Sequence, residues 1–188
     1  MQRSRAAGHK FVSDRTAECY RLADMVKACI RAAGAADVEA LADLNTEVQE
    51  LHFANRPDQF RPVQVPEIAA WLTQLLHDPS ARLWVAEVGR AVVGYVVTLV
   101  RERPENPFCP ARTWWEIDQM GVQARHRRAG IGRALVSHVI ARARDQGIFD
   151  VELQSWAFNH DAQRAFTSLG FAPKVVRFEL CISQPERA

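Results

Sequence analysis

From Gln123 to Arg133 the chain reads Gln-Ala-Arg-His-Arg-Arg-Ala-Gly-Ile-Gly-Arg, a basic, glycine-bearing stretch suited to holding an anion. A β-rich run, Trp114–Val122, precedes it, and an amphipathic pattern from Ile131 to about Gln146 follows. The spacing therefore predicts a turn that hands a strand over to a helix N-terminus. The first backbone N–H groups of a helix lack internal acceptors, and the helix dipole adds partial positive charge there. Gly130 and Gly132 carry no Cβ, so a ligand can approach the main chain closely. Arg125, Arg127, Arg128 and Arg133 surround them, with His126 alongside, and phosphate is the chemistry this suits. No Gly-Lys-Ser/Thr follows the glycines, which excludes a P-loop, and the Gly-x-Gly-x-x-Gly dinucleotide fingerprint is absent.

Just upstream, Glu116 and Asp118 stand two residues apart in the expected strand and so share one face. A carboxylate in a mostly buried strand is costly without a partner or a role. The role that fits is a general base, acting directly or through water, with the pair's charge also attracting a cation. The plainer alternative is that Glu116 pairs with a nearby arginine or sits at an exposed edge.

Arg127-x-x-Gly130-x-Gly132 resembles the Arg/Gln-x-x-Gly-x-Gly/Ala signature of the GNAT family of N-acetyltransferases. Val122 stands where that family's Val-x-Pro precedes the loop, with Ala124 in place of the proline. Asn159-x-x-Ala162-x-x-x-Phe166-x-x-Leu169-Gly170-Phe171 resembles the family's second signature, Asn-x-x-Ala-x-x-x-Tyr-x-x-x-Gly-Phe. The motifs cover residues 113 to 171, and the resemblance at the level of fold extends over about 26 to 182.

The resemblance implies an α/β chain of the acyl-CoA N-acyltransferase fold: a central mixed sheet of six to seven strands with helices on both faces. It implies acetyl-CoA as cosubstrate and transfer of its acetyl group to a primary amine of a small molecule or peptide, by direct attack in a ternary complex. The strands at Trp114–Val122 and Asp150–Ala157 would splay, and the pantetheine arm would pair with backbone groups of Met120 and Val122. Backbone groups near Arg128, Gly130, Ile131, Gly132 and Arg133 would take the pyrophosphate, with the Arg127 position part of the signature. Asn159 would contact the pantetheine arm, and Glu116 falls where some members carry a catalytic glutamate, with Asp118 as second choice. Phe166 stands where the family usually has a tyrosine that protonates the leaving thiolate, so its ring would line the site without a hydroxyl. Tyr95 is a candidate substitute. That departure keeps a second reading open, a non-catalytic acyl-CoA-binding or sensor domain. The acceptor would lie between the first two helices and the strand ends, where Glu47, Glu50, His52, Phe53 and Phe60 are candidates. Dimers are common in the family, which makes a homodimer an expectation.

The remaining elements must position this chemistry. A chain of 188 residues with 48% hydrophobic content is expected to form one domain, residues 25–188, after an extension over 1–24 that is partly disordered or a short helix at Thr16–Met25. A first strand is read at Val26–Arg31. Val38, Leu41, Leu44, Val48 and Leu51 give one helical stripe, and Ile68, Trp71, Leu72, Leu75 and Leu76 a second, opened by Pro66 and closed before Asp78-Pro79. Arg82–Val88 and Ala91–Arg101 around Gly89-Arg90 read as a hairpin. Asn159 is a good N-cap for a helix to Leu169, and Lys174–Ile182 reads as a closing strand. A net charge of +2 argues against a nucleic-acid partner. No apolar run approaches a membrane span, and no leader-like apolar segment opens the sequence. Four scattered cysteines indicate neither a metal site nor a disulfide framework, so a cytoplasmic location is expected. No metal is expected.

Overall fold

In the computed structural model, which describes residues 18–21 and 27–181, six strands lie side by side in chain order. They are β1 (Glu18–Arg21), β2 (Lys27–Ala32), β3 (Ala81–Val88), β4 (Ala91–Arg103), β5 (Arg112–Val122) and β6 (Val151–Leu153). Neighbours are antiparallel through β5, whereas β5 and β6 are parallel. A parallel pair needs a crossover connection, and α3 (Ile131–Asp145) supplies it. The result is the mixed sheet expected. The other helices are α1 (Val38–Asn55), α2 (Val65–His77) and α4 (His160–Ser168). The chain divides into two compact units, Met1–Gln154 and Ser155–Ala188, and all elements except α4 belong to the first.

Side chains alternate across a strand, and β3 and β4 use both faces. Leu83, Val85, Tyr95 and Val97 join Leu41, Leu44 and Leu72 in one core under α1 and α2. The intervening Trp84 meets His138 of α3 edge-on at 5.5 Å, which places α3 on the opposite face. Gly94 lies on that second face, where a Cβ would come within 3.2 Å of the Ile131 side chain. α3 buries Ile131, Leu135, Val136, Val139 and Ala143 and leaves Arg133, Ser137 and Arg144 exposed, the split its sequence foretells. Arg31 anchors the start of α1: it donates to both oxygens of the Asp37 carboxylate at 2.8 Å and to Glu87 at 2.8 Å. The Arg31 hydrogen bonds hold the Asp37 carboxyl below its ordinary range, against the opposing effect of burial.

Four expectations need correction. Glu18–Arg21 is a strand, not part of a helix, because it zips onto Lys27–Ile30 in a hairpin; Thr16, Ala17 and Leu22–Met25 lie outside the described residues. The strand read at Val26–Arg31 is therefore the second. Its cysteine Cys29 sits directly opposite Cys19 and forms a disulfide with it. The pairing was hidden because only the hairpin brings the two together. Third, β6 stops at Leu153, well short of Ala157. Fourth, residues 172–181 adopt neither helix nor strand, and Val175, Val176, Phe178 and Leu180 are exposed. Their apolar pattern permits a strand, but a strand also requires a partner, and none pairs with them among the described residues; Ile182 lies outside those residues.

Candidate active site

β5 is the strand on which the site is built. It pairs with β4 along its whole length, but β6 accompanies it only at Trp115, Glu116 and Ile117. From Asp118 to Val122 its other edge has no strand beside it among the described residues of this unit. Within this unit the backbone edge carrying Met120 and Val122 pairs with no strand, and an extended chain can pair with such an edge as a strand would. Just past the end of β6, Gln154 donates to the Glu116 carboxylate at 3.1 Å; the expected splay as far as Ala157 involves residues of the second unit.

Past Val122 the chain makes a short 3-10 turn, Ala124–His126, then a tight loop into α3. The loop is held by main chain: Gln123 N–H donates to Val93 C=O at 2.9 Å, and Ala134 N–H donates to Gly130 C=O at 3.0 Å. Gly130, the N-cap of α3, has φ +84°, a left-handed conformation that favours glycine. Arg128 holds φ +64° without being glycine; non-glycine residues in that region cluster at functional sites. Gly132 is different. A Cβ there would meet Met120 Cε at 3.8 Å and Val122 Cγ2 at 3.9 Å, ordinary contacts, so the fold itself does not demand glycine. What a side chain would fill is the space in front of the first turn of α3, where N–H groups point outward. A diphosphate fits this cradle.

The arginines are not equivalent. Arg127 is exposed but engaged: its Nε donates to Val122 C=O at 2.9 Å and its guanidinium pairs with Glu47 of α1 at 2.9 Å. It ties the loop to the sheet and to α1. Arg125 donates to Gln123 at 3.0 Å. Arg128 and Arg133 are exposed at the rim of the cradle.

The carboxylates do not share a face by simple alternation. A register shift in β5 leaves Asp118 without a partner on β4, since Val97 opposes Gln119 and Thr98 opposes Ile117. This bulge re-aims the strand. Glu116 opposes Leu99 and faces α1 and α2, where Arg101 Nε binds it at 2.5 Å. The arginine pairing held open in the sequence is real. Asp118 is an exposed residue; burial of its carboxyl, and then the Glu116 charge, raise its pKa above the ordinary 3.8, with Arg101 opposing.

Behind the bulge lies a polar network the sequence reading missed. Asn45 of α1 is buried and donates from Nδ2 to the Tyr95 hydroxyl at 2.8 Å and to the Gln119 side-chain oxygen. Its signal was a polar residue on an otherwise apolar stripe, four positions after Leu41. Burial pushes the Tyr95 phenol well above its usual range, the Asn45 bond opposes this, and the Asp118 charge adds to it. Gly121 leaves room for that ring: a Cβ there would lie 2.8 Å from Tyr95 Cε1.

Asn45, Gln49 and Gln119 also floor a cavity of about 680 Å³ between α1, α2 and the loop joining them. Phe60 lines it and stacks on His52 at 4.9 Å; burial pushes the His52 imidazole down. Glu47 is engaged by Arg127 instead, and Glu50 and Phe53 do not line the cavity. Trp71, whose spacing marked it only as core, does line it.

In the second unit, Asn159 is the N-cap of α4, its side chain accepting from Ala162 N–H at 3.1 Å. Phe166 packs edge-on against Phe171 at 6.1 Å, and Trp156 stacks on Phe158 at 6.0 Å. Among the described residues no group of histidine, cysteine and acidic side chains could hold a metal ion, and no helix is long and apolar enough to cross a membrane.

With this geometry in hand, comparison with known proteins is informative. The model of the Acetyltransferase (GNAT) family matches residues 26–171. Curated relatives include rat N-acetyltransferase 8F1, 36% identical over 107 residues (57% of this chain and 47% of that protein). Rat N-acetyltransferase 8B is 37% identical over 97 residues, covering 51% and 41%. The chain thus spans less than half the length of these relatives. Among solved structures, a tetramutant of the BH1408 protein from Bacillus halodurans superposes with a TM-score of 0.78 at 25% identity, over 81% of this chain and 99% of that one. AAC(6')-Iy, solved in complex with the bisubstrate analog CoA-S-monomethyl-acetylneamine, shares the fold at 15% identity and a TM-score of 0.64, over 82% and 99%.

Proposed function

This chain belongs to the GNAT acetyltransferase family, and from that premise we propose that it N-acetylates a primary amine of a small molecule or peptide in a ternary complex with acetyl-CoA. The observation that carries the reading is the edge of β5, unpaired within its unit, running directly into the glycine cradle of α3. Acetyl-CoA supplies the acetyl thioester. The β5 edge at Met120 and Val122 pairs with its pantetheine amides, and the main chain from Arg128 to Arg133 receives its diphosphate, with the Arg128 and Arg133 side chains adding charge at the rim.

The acceptor enters from the cavity under α1 and α2, so its amine approaches the bulge side of β5. Asp118 is the general base. Burial raises its pKa, which suits it to accept a proton. Glu116, clamped by Arg101 and Gln154, supplies a fixed negative charge beside it. Tyr95 stays protonated in its buried site, and its hydroxyl bond to Asn45 holds the floor of the cavity in register with the bulge.

A thiol-release assay with acetyl-CoA and a panel of amines, run beside calorimetry for acetyl-CoA alone, tests this. Micromolar binding with turnover of one amine class is expected. Absence of acetyl-CoA binding would sink the reading of the cradle; binding without turnover of any amine would favour a sensor domain instead.

A further inference from the structure

We infer that the acceptor is a monoamine with an apolar or aromatic body and hydrogen-bonding groups, and not a polycation; this rests on the acetyl-transfer reading above. The argument is the charge state of the cavity. Two carboxylates reach its lining, Asp58 and Glu67. Neither is available. Arg56 holds Asp58 in a two-pronged pair, Nε to one oxygen at 2.8 Å and the terminal nitrogen to the other at 2.7 Å. Arg61 holds Glu67 at 2.7 Å, and both line the cavity as a closed ion pair.

A polyamine or aminoglycoside keeps charged ammonium groups after its reacting nitrogen loses a proton, and each needs a counter-charge on entering a partly desolvated site. This cavity provides no uncommitted carboxylate for them. An unmatched charge is how a site rejects one partner while accepting another. What the cavity does provide is neutral. Asn45, Gln49 and Gln119 give an amide floor that can donate and accept hydrogen bonds. Phe60 and Trp71 give aromatic walls for an apolar body. The negative charge near the reacting nitrogen comes from Asp118, since Arg101 compensates Glu116, enough to attract a single ammonium group before deprotonation.

The test is kcat/KM by thiol release for phenethylamine and phenylalaninamide against spermidine and kanamycin, with acetyl-CoA affinity measured separately by calorimetry. The monoamines should exceed both polycations by about tenfold or more, a difference of one well-made contact. Phe60→Ala should raise KM for phenethylamine about fivefold or more, leave kcat within about twofold, and leave acetyl-CoA affinity unchanged, as loss of uniform binding requires. Arg61→Gln should narrow the gap between the classes by raising kcat/KM for spermidine. A preference for either polycation overturns the inference. So does absence of turnover with all four amines while acetyl-CoA binds. Failure of acetyl-CoA to bind overturns the acetyl-transfer reading itself, and this inference with it.

Discussion

The two halves of the site are built from different materials. The cradle at Gly130–Arg133 is made of main chain, with its shape set by one positive-φ glycine and a helix start. The cavity under α1 and α2 is made of side chains from α1, the following loop, α2 and β5, held by amide and guanidinium contacts. A main-chain site tolerates side-chain change except where a Cβ fills it. A side-chain site changes its ligand with each substitution. One fold can therefore keep one donor while its acceptor varies.

If that contrast is right, single substitutions separate donor binding from acceptor chemistry. The largest effect is expected for Asp118→Asn, a fall in kcat/KM of about 10²- to 10⁴-fold, the range for loss of a general base. Acetyl-CoA affinity should hold. Because the Asp118 pKa is raised, the base is lost to protonation as pH falls through a value above 3.8, so the acid limb of wild-type kcat/KM should lie above the ordinary aspartate position and disappear in the variant. A profile unchanged by the substitution would return the role to Glu116. Next is Gly132→Asp, which puts a side chain and a like charge in the cradle; acetyl-CoA Kd by calorimetry should weaken about 100-fold, or about 2.7 kcal/mol. The melting temperature should move little, given ordinary contacts at that Cβ.

Gly121→Ala sharpens the comparison from the packing side. Its Cβ would lie 2.8 Å from a buried ring that Asn45 pins in place. Overpacking of this kind costs about 1–3 kcal/mol, readable by chemical denaturation, and should disturb the cavity floor more than the cradle. The smallest effect is expected for Arg127→Ala. Its pair with Glu47 is exposed and contributes at most about 1 kcal/mol, so acetyl-CoA Kd should change by less than about fivefold. A larger loss would mean that Arg127 swings onto the ligand.

The same contrast explains what could be read from the sequence. The cradle was legible because glycine spacing and a following amphipathic helix are local facts, and Gly130, Ile131 and Gly132 fall where the pattern places them. The helices, the β3–β4 hairpin and the mixed sheet were legible for the same reason: apolar periodicity at Val38–Leu51 and Ala81–Val97 is written residue by residue. Asn45, Gln49, Gln119 and Trp71 were not, since their convergence depends on α1 and α2 packing over one face of the sheet. The bulge at Asp118 was invisible to alternation, which assumes an unbroken ladder. Cys19 and Cys29 meet only because a short hairpin folds them together, and the arginine expected at the phosphate, Arg127, is claimed by Glu47 some eighty residues earlier.

That last contact joins the two sites thermodynamically. Glu47 belongs to the helix that floors the cavity proposed for the acceptor, and Arg127 to the loop proposed to cradle the donor. A diphosphate beside Arg127 shares its positive charge with Glu47 while the pair stays closed, which slightly strengthens the attraction of this region for an ammonium group; a nearby ammonium group eases the guanidinium toward the diphosphate by the same amount. Linkage of this kind is reciprocal. Acetyl-CoA should therefore tighten amine binding by the factor by which the amine tightens acetyl-CoA, a modest positive coupling that disappears in Glu47→Gln and that calorimetry in both orders of addition can measure.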